Sequence, residues 1–220
     1  MAKTLALIHT SPVLTPLFTA LCKQHLVNVQ WLHMVDESLI RDTIANQRLR
    51  KPTIRRLISM VESAQNAGAD AVLVTCSSIG PAVDIAKDIF DVPVMRVDEA
   101  MAEQAVQHGP RIGVLATLRT TLEPTMGLLR SKAAAADVKV TLVEGLCDRA
   151  FEAVLAGDTA THDRIVTEAL LDMTLKVDVV VLAQASMGRV VANLPAGSTT
   201  VRILASPELG IMRMKKILEA

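Results

Sequence analysis

Short apolar runs alternate with polar turns and amphipathic stretches along the whole chain. Thr4-Leu-Ala-Leu-Ile8 reads as a buried strand, and His9-Thr10-Ser11 follows as a polar turn before a helix from Pro12 to about Gln24. Residues 27–32 alternate as a half-buried strand, whose exit from His33 to Ser38 is polar and leads into helix. Pro52 breaks that stretch, and the spacing predicts an amphipathic helix from Thr53 to Ala67 with Gly68 as its stop. A further buried strand ends abruptly at Thr75-Cys76-Ser77-Ser78, and Gly80-Pro81 opens the next helix, to Phe90. Residues 92–97 make another strand, with Asp98 and Glu99 heading a helix that ends near Gly109.

The pattern then begins again. Strands are predicted at 111–116, 138–143, 178–183 and 200–204. Helices are predicted after the polar turn 117–121 to about Ala135, from about Cys147 to Leu175 with a pause at Gly157-Asp158, and from Ser206 onward. Residues 69–80 align without gaps on residues 177–188, so that Asp70 meets Asp178, Ser78 meets Ser186 and Gly80 meets Gly188. Such an internal repeat identifies the architecture before any single motif does. The expected fold is therefore α/β: two pseudo-symmetric parallel-sheet halves from a duplication, 1–107 and 108–220. The C-terminal helix could pack back on the first half. Ligands of such sheets sit beyond the carboxyl ends of the strands, where all these polar turns lie. A pseudo-two-fold would set Cys76 and Gln184 across one cleft between the halves.

Composition narrows the chemistry. Half of the residues are hydrophobic, and 23 basic residues balance 23 acidic ones without runs of either sign. With three Phe, one Trp and no Tyr, neither nucleic acid nor an anionic membrane is an expected partner. Three scattered cysteines fit reduced thiols. The first apolar run is too short for a signal peptide, and none approaches the ~18 residues of a membrane span. A cytoplasmic protein is expected.

Cys76 and the hydroxyls of Ser77 and Ser78 stand at a helix N-terminus, where unpaired N–H groups and the helix dipole favour a thiolate or a bound anion. A small packing thiol is the other reading. Cys22 lies on an apolar helix face, whereas Cys147 is near enough to a strand end to approach the same rim. Asp36, Glu37, Asp98 and Glu99 read as helix caps and first-turn acids, and His162-Asp163 as a solvated helix pair. Glu144 ends its predicted strand at the site rim and is a further candidate for proton transfer. No metal-ligand spacing, phosphate-cradling Gly-rich loop or Gly-x-Ser-x-Gly elbow occurs.

Taken together, the length, the repeat and a turn of this kind in each half resemble the aspartate/glutamate/hydantoin racemase superfamily, which also holds maleate isomerases and arylmalonate decarboxylases. Thr75-Cys76-Ser77-Ser78 is similar to its first cysteine turn. Leu182-Ala-Gln184-Ala-Ser-Met187 is similar to the second, which reads Leu-Gly-Cys-Ala-Gly-Met in hydantoin-type members, so Gln184 occupies the second cysteine position. The resemblance implies two facing domains, no cofactor and no metal, and proton transfer at the α-carbon of a small carboxylate by two opposed cysteines. It further implies substrate contacts at His9, Thr10 and Ser11, at Ser77 and Ser78, at Thr117, Arg119, Thr120 and Thr121, and at Ala185 and Ser186. Capping by Ser11 and solvation of Arg119 are the competing readings. Members are commonly dimers, so a homodimer is expected.

A carboxamide neither takes nor gives a proton at neutral pH, but it donates hydrogen bonds to an oxyanion. A racemase or epimerase acting through a carbanion or enediolate, with Cys76 as acid/base, is the leading expectation. A one-cysteine lyase, decarboxylase or cis–trans isomerase is the runner-up, and a non-catalytic small-acid binding protein is the alternative from another class.

Overall fold

The computed structural model describes residues 2–195 and 197–219. In chain order the elements begin with β1 (Lys3–His9), a 3-10 turn (Pro12–Leu14), α1 (Thr15–His25), β2 (Val29–Val35), α2 (Glu37–Ala45) and α3 (Lys51–Asn66). They continue with β3 (Ala71–Val74), a 3-10 turn (Ser77–Ile79), α4 (Gly80–Lys87), β4 (Val94–Arg96) and α5 (Glu99–His108). Then come β5 (Arg111–Ala116), α6 (Arg119–Ala135), β6 (Thr141–Leu146), α7 (Ala150–Leu155) and α8 (Thr159–Thr174). The last are β7 (Val179–Leu182), a 3-10 turn (Ala185–Met187), α9 (Gly188–Ala192), β8 (Arg202–Ala205) and α10 (Ser206–Leu218). Among the described residues no helix is long and apolar enough to cross a membrane.

Local chemistry accounts for most boundaries. Asp36 caps α2 by accepting from the Ser38 amide, and Asp158 caps α8 by accepting from Thr161. Proline occupies the first turn of α1, α3 and α4, where its missing N–H costs nothing. The buried face of α3 is Thr53, Leu57, Val61 and Ala64, spaced by three or four residues. Gly68, at a φ of 87°, takes the left-handed position that stops this helix.

The chain forms two compact units: residues 1–100 with 207–220, and residues 101–206. In the first, four parallel strands run in the order β2-β1-β3-β4; in the second, the order is β6-β5-β7-β8. The central strands β3 and β7 are wholly buried, as an all-apolar strand covered on both faces should be. One side of the first sheet packs under α3 and α4, with Leu57, Val61, Val83 and Ala86 against Ile8, Val72 and Val74. On its other side Phe18 and Cys22 of α1 and Ile211, Met214 and Leu218 of α10 cover Leu5, Leu7 and Leu73. The second sheet has its own core, in which Val166, Leu170 and Met173 of α8 meet Leu115, Val180 and Leu182.

The repeat in the sequence is a repeat in register. Leu5 pairs with Ala71, and Ile112 pairs with Val179, so first strands correspond at an offset of 107 and third strands at 108. Asp70 Oδ2 accepts from the Thr4 amide at 2.8 Å, and Asp178 Oδ2 accepts from the Arg111 amide at 2.8 Å. These are equivalent positions. Each aspartate ties the loop before a central strand to the start of its neighbour.

Three sequence expectations are corrected. The second strand runs from Val29 to Val35 rather than 27–32, because its ladder with β1 continues to the pair His9 and Val35; His33 is a strand residue. The corresponding strand of the second unit likewise lies at Thr141–Leu146 rather than 138–143, which puts Glu144 opposite Val114 within the ladder. His162 is not solvated. It is fully buried, with Nδ1 2.7 Å from Asp163 Oδ1, and Arg189 Nε donates to the same oxygen at 2.9 Å.

Candidate active site

Cys76 stands two residues past the end of β3, at the head of the 3-10 turn, with extended backbone (φ −125°, ψ 113°). Gln184 holds the same place after β7, with φ −127° and ψ 140°. Both turns open on an extended residue and continue as a 3-10 turn; their side chains do different chemistry.

In the first unit the Cys76 sulfur is met by the Thr10 and Ser78 hydroxyls and by the Ser78 and Ile79 amides. Burial pushes the thiol pKa above its ordinary value, and those four donors, which favour the thiolate, pull against it. Burial drives Cys22 up to about 11; burial, then the Asp148 carboxylate, does the same to Cys147. Cys147 is 2% exposed and Cys22 fully buried, so neither is a ready nucleophile. Ser77 and Ser78 are buried in the turn, and the Ser11 hydroxyl accepts from the Val13 amide at the start of the first 3-10 turn.

The turn is held from behind by an ion cluster that the sequence did not disclose. Arg96, 3% exposed, donates from Nε and Nη2 to the two oxygens of fully buried Asp98, both at 3.0 Å, and from Nη1 to Asp84 at 3.1 Å. Its guanidinium lies against Gly80, where a Cβ would fall 2.3 Å from Cζ. Only glycine fits there.

His9 was a candidate substrate contact, but both ring nitrogens are engaged within the unit. Nδ1 lies 2.8 Å from Thr75 Oγ1 and Nε2 lies 2.8 Å from His33 Nδ1. His33 Nε2 in turn lies 2.9 Å from Thr19 Oγ1. The ring is fully buried, and burial first, then the His33 charge, lower its pKa to about 4. Sequence reading missed this chain because it left His33 outside the strand.

In the second unit the Thr117 amide donates to Gln184 Oε1 at 2.5 Å, and the Thr117 hydroxyl donates to it at 3.0 Å. An amide N–H can only donate, so the group facing it is the side-chain oxygen, and the carboxamide NH2 points away from Thr117. Thr120 and Thr121 are buried at the start of α6, and Thr120 Oγ1 has no protein partner. Arg119 is exposed, while Ala185 and Ser186 are half-buried beside Gln184. Thr117 corresponds to Thr10 and Gln184 to Cys76, so each unit pairs a threonine after its first strand with the functional residue after its third. Among the described residues no three His, Cys, Asp or Glu side chains are placed to hold a metal.

Residues 8–213 match the family model described as Asp/Glu/Hydantoin racemase. The chain belongs to this family. No curated protein matches it by sequence. Solved structures carry the same fold. A glutamate racemase isoform from Bacillus anthracis superposes with a TM-score of 0.72 at 18% identity, over 99% of this chain and 82% of that one. The Picrophilus torridus aspartate racemase gives 0.70 at 14% identity, over 97% and 94%. The allantoin racemase from Klebsiella pneumoniae gives 0.71 at 14%, over 99% and 87%. This family member thus keeps the thiol turn in its first unit and carries a carboxamide in the corresponding turn of its second.

Proposed function

We propose that the protein is an acid/base enzyme acting at the α-carbon of a small carboxylate, with Cys76 as the proton-transfer group and no cofactor. The observation that carries this reading is the place of Cys76, at the head of the 3-10 turn that follows the buried strand β3, with the Thr10 and Ser78 hydroxyls favouring the thiolate against a burial that raises its pKa. The thiolate takes the α-proton, the electron pair left behind delocalises into the carboxylate as an enediolate, and the thiol returns the proton to carbon, with inversion when the planar intermediate has turned its opposite face to the thiol. The Gln184 carboxamide, its oxygen held by Thr117, has its NH2 left to donate to an oxyanion. Family membership makes racemisation or epimerisation the leading reaction.

A second reading is favoured by Gln184 itself. With no proton donor in the second turn, chemistry that needs only one thiol fits the pair of turns, namely C–C bond cleavage or cis–trans isomerisation. A homodimer is part of the proposal, on the half-hydrophobic, aromatic-poor composition; a monomer mass by light scattering at micromolar concentration would remove that part.

The decisive experiment is an NMR screen of small mono- and dicarboxylates with the enzyme in deuterated water. Deuterium at the α-carbon with inversion supports the racemase reading. CO2 loss or double-bond isomerisation selects the second. Stoichiometric binding without exchange or turnover would leave only a binding protein and overturn both.

A further inference from the structure

The thiol-bearing unit contains a buried hydrogen-bonded chain whose first two links are lacking at the corresponding positions of the carboxamide-bearing unit. His9 and Thr75 are the residues just past the paired Ile8 and Val74; just past the corresponding Leu115 and Leu182 stand Ala116 and Ala183. His33, opposite Leu7, corresponds to Glu144, opposite Val114. A duplication that retained Asp, Ser and Gly at matching places holds two imidazoles and a hydroxyl only behind Cys76.

The polarity of the chain follows from its end. Thr75 Oγ1 donates to the Ile8 carbonyl at 3.2 Å, so it accepts from His9 Nδ1. His9 then carries its proton on Nδ1, and Nε2 accepts from His33 Nδ1–H. His33 Nε2 accepts from the Thr19 hydroxyl. Every donor finds an acceptor with both rings neutral. The Phe18 ring, 5.5 Å from His9, closes off the imidazole.

This chain bolts β1 to β3 at the point where Thr10 and Cys76 leave the sheet. Thr10 follows His9, Cys76 follows Thr75, and the Thr10 hydroxyl donates to the Cys76 sulfur. We propose that His9 is a positioning residue for the thiol, holding Thr75 from Nδ1 so that Thr10 stays in reach of Cys76, and that His33 acts behind it by fixing the His9 tautomer. The groups set against the sulfur are the Thr10 and Ser78 hydroxyls and the Ser78 and Ile79 amides; those set against the imidazoles are Thr75, Thr19, Phe18 and each other. The inference concerns Cys76 whether the reaction is racemisation or cleavage, and its test needs no substrate.

The experiment measures iodoacetamide alkylation of Cys76 in the full chain from pH 6 to 10, resolved from Cys22 and Cys147 by peptide mass spectrometry. Asn carries a donor near the place of a histidine Nδ1, and Gln near that of Nε2. Thr75→Val and His9→Gln should raise the alkylation midpoint by about one pH unit and slow the reaction about tenfold below it, while His9→Asn keeps the wild-type midpoint. In 15N-labelled protein, His9 should show the Nδ1–H tautomer, and His33→Leu should shift it toward Nε2–H. A Thr75→Val protein that remains folded by circular dichroism with an unchanged midpoint would overturn the proposal. So would His9→Gln performing as well as His9→Asn, since that would make His9 a mere space-filler.

Discussion

The side-chain oxygen of Gln184 is held by both the amide and the hydroxyl of Thr117, at 2.5 and 3.0 Å. The residue is therefore committed as a donor: what it offers a substrate is NH2. Gln184→Ala should lower turnover about 10²–10³-fold, the loss of one oxyanion donor, with KM changing less than kcat. Gln184→Glu should be no better, because the carboxylate still accepts from Thr117 but brings negative charge and no donor. Gln184→Cys should create or increase α-proton exchange with inversion, read in deuterated water. Full activity in Gln184→Ala would remove the residue from the mechanism.

Cys76→Ser should lower turnover by several orders of magnitude, because an alcohol in the same place is a far weaker acid and its oxygen is not ionised near neutrality. At pH 8 a thiol reagent should modify Cys76 ahead of Cys22 and Cys147, because Cys76 is half-buried whereas the other two are buried. Peptide mapping after partial alkylation checks the order. Equal labelling of all three thiols would contradict the difference in exposure.

Gly80 and Gly188 are equivalent in sequence and fold, yet they should respond oppositely to alanine. At Gly80 the added methyl meets the Arg96 guanidinium, itself pinned by Asp98 and Asp84, so the group cannot swing aside freely. Gly80→Ala should destabilise by about 1–3 kcal/mol and disturb the thiol turn. At Gly188 the nearest atom to such a methyl is Ala205 Cβ at 3.7 Å, ordinary contact, and a helical Ala is favoured over Gly by up to ~1 kcal/mol. Thermal unfolding of the two variants side by side decides it.

Stability should depend on pH through His9. Its folded-state pKa is about 4 against 6.5 for the free side chain. The unfolded chain takes up the proton first, so the stability contributed by the neutral ring is whole above about pH 6.5 and is lost as pH falls from there toward 4. Between pH 6.5 and 5 this amounts to about 2 kcal/mol, before carboxylate protonation enters. His9→Asn should flatten the melting temperature over that interval. An equal slope in the variant would contradict the assigned cause.

The succession of strands and helices along the chain and the repeat were legible because they rest on periodicity and on local punctuation. The Cys76 and Gln184 turns were legible because each ends a run of buried residues. Residues whose roles depend on register were not. His33 reads as a turn residue until the ladder with β1 carries the strand to Val35, and only then does it meet His9. Asp98 reads as a helix-leading acid, whereas it is a fully buried partner of Arg96; two residues apart on one segment, they show no pattern until a third residue, Gly80, leaves room for the guanidinium. His162 reads as solvated because its polar neighbour Asp163 masks a helix face that turns inward.

The return of α10 to the first unit gives the two halves different histories during synthesis. The second unit is one unbroken segment, 101–206, and can complete its core as soon as that segment leaves the ribosome. In the first, Leu5, Leu7 and Phe18 stay uncovered on one side until Ile211, Met214 and Leu218 arrive. The sheet that bears Cys76 thus waits for a segment that lies beyond the whole second unit in the chain. A chain cut after residue 206 would keep every strand of the second unit while one face of the first sheet stays uncovered, an apolar surface of the kind that chaperones bind.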